Sequence, residues 1–271
     1  MKRIYKIIAL AVTLVMATTA MTLSAKDNGP LLPSSTKSEA AKEAFMKAID
    51  RLQNGDFDHY SEWMDKALSE DPQFFMAHAQ LALSSAALNQ DKGSNSHLES
   101  ALALPQDKFT PAEQIIRRML ITVRDDKKEE MKLLCNELVK AYPETEHAFE
   151  LASAMSNFIL DDPQAYNMYA LRLVEMNPTH ASYYNNLGYS YIKTGEMDKA
   201  KEAFDNYVRL APKEPNAYDS MGEYYKMMGE YEKSAASYDR AFALGMKESR
   251  ERADEVRNLA KGAEEETEKD K

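Results

Sequence analysis

"ASYYNNLGYSYIKTGEMDKAKEAFDNYVRLAPKE" occupies residues 181–214, and "PNAYDSMGEYYKMMGEYEKSAASYDRAFALGMKE" occupies 215–248. Laid one over the other, Tyr184 falls on Tyr218, Leu187 on Met221, Gly188 on Gly222 and Tyr191 on Tyr225. Gly195 then falls on Gly229, Lys199 on Lys233 and Phe204 on Tyr238. The offset is 34 residues throughout. A fixed period of this size marks an array of supersecondary units that bury their apolar faces against one another.

Each place in the unit has a physical reason. Tyr184, Leu187, Gly188 and Tyr191 follow the i, i+3, i+4, i+7 spacing of one helical face. A glycine inside a helix costs about 1 kcal/mol relative to alanine, so Gly188 is expected where a partner helix crosses closely. Gly195 supplies a left-handed helix end. A second helix carries Ala200, Phe204 and Tyr207 inward, and Pro212 stops it.

This order of aromatic, Leu-Gly, Tyr, Gly, Ala and Phe resembles the tetratricopeptide repeat. The resemblance implies an all-α, right-handed α-solenoid of about six stacked helix-turn-helix units with a C-terminal capping helix. The units fall at about 41–74, 75–108, 112–145, 146–180, 181–214 and 215–248. The first has Gly55 at its turn, then Ala67 and Pro72; the second places Leu81, Ala82, Leu98 and Ala101 at matching positions. The third opens on a capping box, with Thr110 as cap, Pro111 at the first helical place and Glu113 closing it. The fourth fits only with one residue inserted near "LDDP" (160–163).

The flanks read differently. Residues 26–37, "KDNGPLLPSSTK", are a polar segment expected to be flexible, with Thr36 and Glu39 spaced for a second capping box. Ala253, Val256, Leu259 and Ala260 give a thin apolar stripe for a capping helix over 249–260, and 261–271 reads as a disordered tail.

The N-terminus has the form of an export signal. Lys2, Arg3 and Lys6 precede the apolar run "IIALAVTLVMA" (7–17), which is too short to span a bilayer comfortably, and small residues follow. Cleavage after Ala25 or Ala20 is expected, which leaves no stable membrane span and a periplasmic or secreted protein. Loss of the three basic residues takes the formal charge from −10 to −13. No basic tract remains to neutralise phosphates, so nucleic acid is a poor partner. Cys135 is the single cysteine, so an intramolecular disulfide is excluded and packing alone must stabilise the fold.

The sequence carries no familiar catalytic pattern. His59, His78, His97, His147 and His180 have no two members at metal-site spacing within one helix, and neither H-E-x-x-H, G-x-S-x-G nor a P-loop occurs. Cys135 sits where the repeat wants a buried apolar residue, and Trp63 reads as packing. Asp161 and Asp162 with Glu150 are a conceivable cation set, but they lack an EF-hand pattern and read more simply as a solvated loop. The expectation is a non-enzyme without cofactor or metal.

Binding is then expected on the concave wall, which the first helix of each unit lines. A stripe beside the packing face comprises Ser182, Asn185, Tyr189 and Lys193, and one period later Asn216, Asp219, Glu223 and Lys226. Unit 4 adds His147, Glu150 and Asn157, and unit 3 adds Arg117, Leu120 and Arg124. In the repeat family such places contact peptides, so the resemblance implies a groove here. Acidic Asp219 and Glu223, with Ile116 where a carboxylate clamp wants lysine, depart from the variant that holds acidic C-termini. A basic, aromatic or amide-rich protein segment is the fitting partner. The alternative is a self-assembling envelope component that mates through the apolar runs "FFMAHAQLALSSAAL" (74–88) and "IIRRMLITV" (115–123).

Overall fold

The computed structural model describes residues 31–87 and 91–269. The export signal, both cleavage positions and residues 26–30 of the polar segment lie outside them. Among the described residues the chain is all α, built as an α-solenoid of six helix pairs and a last single helix. The pairs are α1 (Glu39–Gln53) with α2 (Phe57–Glu70), α3 (Phe75–Ala87) with α4 (Asp91–Ala103), and α5 (Pro111–Arg124) with α6 (Lys128–Ala141). They continue as α7 (Glu146–Met155) with α8 (Pro163–Met176), α9 (Ala181–Thr194) with α10 (Met197–Leu210), and α11 (Pro215–Met227) with α12 (Tyr231–Ala243). The last helix is α13 (Ser249–Lys269).

The glycines act as their places in the repeat suggest. A Cβ on Gly188 would stand 2.6–2.8 Å from the ring of Phe204, and one on Gly222 would stand 2.8–3.0 Å from Tyr238. The bare backbone is what lets the second helix of each unit close on the first. Gly195 has φ 81°, the left-handed end that an L side chain resists. The C-terminal pairs bury modest neighbour-to-neighbour clusters: Ala170, Leu187 and Ala203; then Ala200, Phe204, Met221 and Tyr224; then Ala235, Tyr238, Ala253 and Val256.

The fourth unit accommodates its extra residue in the backbone. Beyond Met155 the helix widens into a π turn over Ser156–Leu160 and ends at Asp161, whose φ of 49° is left-handed. A π turn holds one residue more than an α turn. It stands just before the "LDDP" stretch, where the period demands an insertion.

The N-terminal half is packed differently from a stack. One continuous core joins α1 through α7 and reaches Tyr169, Leu173 and Tyr183. Residues 31–37, expected to be flexible, belong to it as a strap. Leu32 is buried, and the Ser35 N–H and hydroxyl both donate to Glu113 Oε1 at 2.9 Å. Thr36 donates to Asp71, and Thr110 donates to the Pro33 carbonyl at 2.9 Å. The strap is ordered because it satisfies buried polar groups that the array leaves open.

Three further expectations are revised. Thr36 does not cap α1; Ser38 does, accepting from the Ala41 N–H, because Thr36 is taken by Asp71. The last helix does not stop at Ala260 but runs to Lys269, through alanine, glutamate and lysine residues that favour helix. The apolar runs at 74–88 and 115–123 are, among the described residues, turned mostly inward. Phe74, Phe75, Met76, Leu83, Ile115, Ile116, Met119 and Leu120 are all buried in the chain's own core. The Thr110–Glu113 capping box is formed in full.

Gly188→Ala should destabilise the protein. Overpacking costs about 1–3 kcal/mol, against a gain of about 1 kcal/mol from removing a helical glycine. The added methyl meets the fully buried Phe204 ring, which has nowhere to move, so a net loss of about 1 kcal/mol is expected. Chemical denaturation of the two proteins measures it, and an unchanged midpoint would refute the close-crossing role.

Candidate functional site

The expected binding stripe is largely occupied by the protein itself. Ser182 is buried and shares a hydrogen bond with His180 Nδ1 at 3.0 Å, so it lies inside the wall and not on it. Asp219 is buried too, accepting from Ser249 Oγ at 2.7 Å and from Arg252 of α13. Lys226 pairs with Glu255 of the same helix at 2.9 Å. The side of α11 that bears Asp219 and Lys226 is thus a docking face for the capping helix. The register of the groove is displaced from the expected one, since i and i+7 positions share a face and that face meets the next helix.

The remaining places of the stripe stay near the wall's surface. Tyr189 sets its ring edge on Phe204, with centroids 5.2 Å apart, and donates its hydroxyl to Glu223 Oε2 at 2.7 Å. Burial, reinforced by the Glu223 charge, holds that phenol well above the usual range, so it stays a donor. Lys193 reaches back to Asp161 at 3.4 Å. Asn216 donates to the Tyr207 hydroxyl at 3.2 Å. Asn185 keeps a buried Oδ1 with no hydrogen-bond partner among the described residues.

A deeper cluster, of which the sequence singled out His147 and Glu150 but not Tyr183, Glu146 or Gln53, sits beside them. The Tyr183 hydroxyl lies 2.6 Å from both Glu146 Oε2 and Glu150 Oε1, and Glu150 also accepts from Gln53 Nε2 of α1. One phenolic proton can satisfy only one of two carboxylates at that distance. The second contact needs a proton of its own, and Glu150 is the natural holder. Desolvation pushes its carboxyl up to about 7, with the neighbouring Glu146 charge adding to the shift. The His180 ring stacks on Tyr183, with centroids 4.1 Å apart, and its burial lowers its basicity. His147, one turn before Glu150, is buried and held neutral, its pKa down to about 4; its Nδ1 faces the Leu32 N–H at 3.5 Å.

The chemistry weighed elsewhere in the chain resolves locally. Cys135 lines a shallow cleft of about 260 Å³ between α6 and α8, but burial pushes its thiol up to about 12, which suppresses the nucleophilic thiolate. Asp162 caps α8 and pairs with Lys132 at 2.7 Å, Asp161 faces Lys193, and Glu150 belongs to the Tyr183 cluster. These three carboxylates therefore do not converge. Trp63 is covered by Lys47 at 4.5 Å from its ring centroid, as a packing residue would be.

A family profile described as tetratricopeptide repeat matches residues 181–214. No curated protein sequence matches the chain. Among solved structures, PilW, titled a widely conserved type IV pilus biogenesis factor, aligns at 13% identity over 79% of this chain and 97% of its own, with TM-score 0.47. TTC0263, a thermophilic TPR protein of Thermus thermophilus, aligns at 18% identity over 80% and 98%, with TM-score 0.42. A MamA structure aligns at 16% identity over 64% and 98%, with TM-score 0.42.

The Glu150 cluster gives a signed pH dependence. A carboxyl whose folded pKa is raised contributes stability fully below its unfolded pKa and loses it as pH rises through the folded value. The buried neutral His147 acts oppositely, losing stability as pH falls towards 4. The difference between wild type and Glu150→Gln isolates the first effect. Wild-type stability relative to Glu150→Gln should fall by on the order of 2 kcal/mol between about pH 4.5 and pH 8. Urea titrations at the two pH values test this, and a pH-independent difference would mean that Glu150 is not the protonated partner.

Proposed function

We propose that this tetratricopeptide-repeat protein is a non-catalytic scaffold of the bacterial envelope that holds a protein or peptide segment against its concave wall. The observation that carries the reading is the Tyr189–Glu223 pair at the surface of the first-helix wall, where Glu223 keeps acceptor capacity open to a guest. Glu223 is exposed and acidic, and the whole chain is acidic, which favours a guest with basic or amide side chains. The basic and apolar N-terminal leader supports export to the periplasm or beyond. Self-assembly through the N-terminal units lacks the same support, because the apolar runs that motivated it are consumed within the chain.

Capture from envelope extract with the purified protein, against an Asn185→Ala/Tyr189→Ala control, tests the reading. A specific partner should be retained by the wild type and lose at least about fivefold in affinity with the double variant, the effect of roughly 1 kcal/mol. Equal retention by both would remove these residues from the binding surface.

A further inference from the structure

Two histidines of the second unit meet across its pair of helices, a juxtaposition that spacing within one helix does not register. His78 stands in the first turn of α3 and His97 in the middle of α4, and their Nδ1 atoms are 3.3 Å apart. The ring centroids are 5.5 Å apart and the planes tilted by 38°, so the rings meet at their Nδ1 edges and do not stack. Both are half-buried and within reach of solvent. Their helices are anchored close by, α3 through the buried Ala77 and Ala79 and α4 through the buried Leu98 and Ala101.

The partners fix one tautomer. His78 Nε2 lies 3.1 Å from the Pro72 carbonyl, which can only accept, so neutral His78 carries its proton at Nε2. Its Nδ1 is then a lone pair facing His97. A hydrogen bond from His97 Nδ1–H is the plain reading, but 3.3 Å lies beyond the range of about 2.7–3.2 Å at which N–H donors hold an acceptor. A shared cation fits better. Zinc bonds imidazole nitrogen at about 2.0–2.1 Å with tetrahedral angles, which sets two ligand nitrogens about 3.3–3.4 Å apart. A square-planar ion with bonds of that length would set them at about 2.9 Å. The Nε2–H contact to a backbone carbonyl is also the outer contact that orients a metal-ligating histidine.

We infer that His78 and His97 form a zinc(II) site between α3 and α4, with both Nδ1 atoms as ligands and water in the remaining positions. Among the described residues no third histidine, cysteine or carboxylate completes the set, so the ion stays open to solvent. Binding moves the His97 proton from Nδ1 to Nε2, a tautomeric shift that leaves the number of protons unchanged, and a small turn of the rings aims both lone pairs at one ion. Burial, with His78 beside it, lowers the basicity of His97, which keeps that ring neutral and able to ligate. Asp65 of α2, within electrostatic reach of His97, favours an added cation. The ion ties the two helices of the unit together, so zinc stabilises the folded chain by mass action.

Isothermal titration of the chelator-treated full chain with zinc chloride tests the site. Zinc should bind, and His78→Gln and His97→Gln should each weaken it at least about tenfold, since one imidazole cannot chelate. His59→Gln, whose ring is bonded to Asp56 and stands apart from the pair, should bind as wild type does. Magnesium, which prefers oxygen ligands, should not compete. Nitrogen NMR of the imidazole rings reads the site in the wild-type chain itself. Zinc should shift the Nδ1 signals of His78 and His97 together while each Nε2 keeps its proton. That arm decides alone if a variant fails to melt cooperatively. Absence of zinc binding, equal affinity in either histidine variant, or shifts at His59 in place of the pair would overturn the inference.

Discussion

A helix pair in this chain cannot bury its apolar faces alone, and the closeness of the two helices is set by a single missing side chain. Gly188 against Phe204, repeated as Gly222 against Tyr238, leaves no room for even a methyl group. That approach fixes how far the second helix of each unit leans on the first, and so where the next unit can stack. The curvature, the wall of first helices and the need for a capping helix all follow from it. At the C-terminal end α13 meets that need through Ala253 and Val256 in the apolar cluster and through Asp219 with Ser249 and Arg252 in the polar one.

Toward the N-terminus, Phe45 and Gln53 of α1 meet His147 and Glu150 of α7, and the strap closes on α5 through Glu113 and Thr110. The result is one continuous core across the N-terminal half, against small separate clusters in the C-terminal half. The polar groups of the strap make this specific. Glu113 is fully buried and spends one oxygen on its own helix cap and the other on Ser35. A buried carboxylate left without those donors would be costly, so the strap and the third unit hold one another in place.

Much of the fold was legible from the period, because the packing demands of a repeat recur as residue types at fixed intervals. The turn glycines, the capping box at Thr110 and Glu113, and the extra residue in the fourth unit all left marks of that kind. The candidate site was less legible. Asn185, Tyr189 and Glu223 lie at the wall's surface, but Ser182 is buried within the wall, and Asp219 and Lys226 serve the capping helix. Tyr183, buried at the centre of the glutamate cluster, has Ala217 one period later, so the repeat pattern marked nothing special about it.

The sequence by itself determined the all-helical class, the 34-residue unit and the places of the close helix crossings. These depend on contacts within a unit or between adjacent units, which periodicity records. Only the tertiary structure decided that Phe45 meets His147, that Gln53 meets Glu150, and that the strap closes on Glu113. Those contacts join residues far apart in the chain, each made once. A contact made once leaves no period to read.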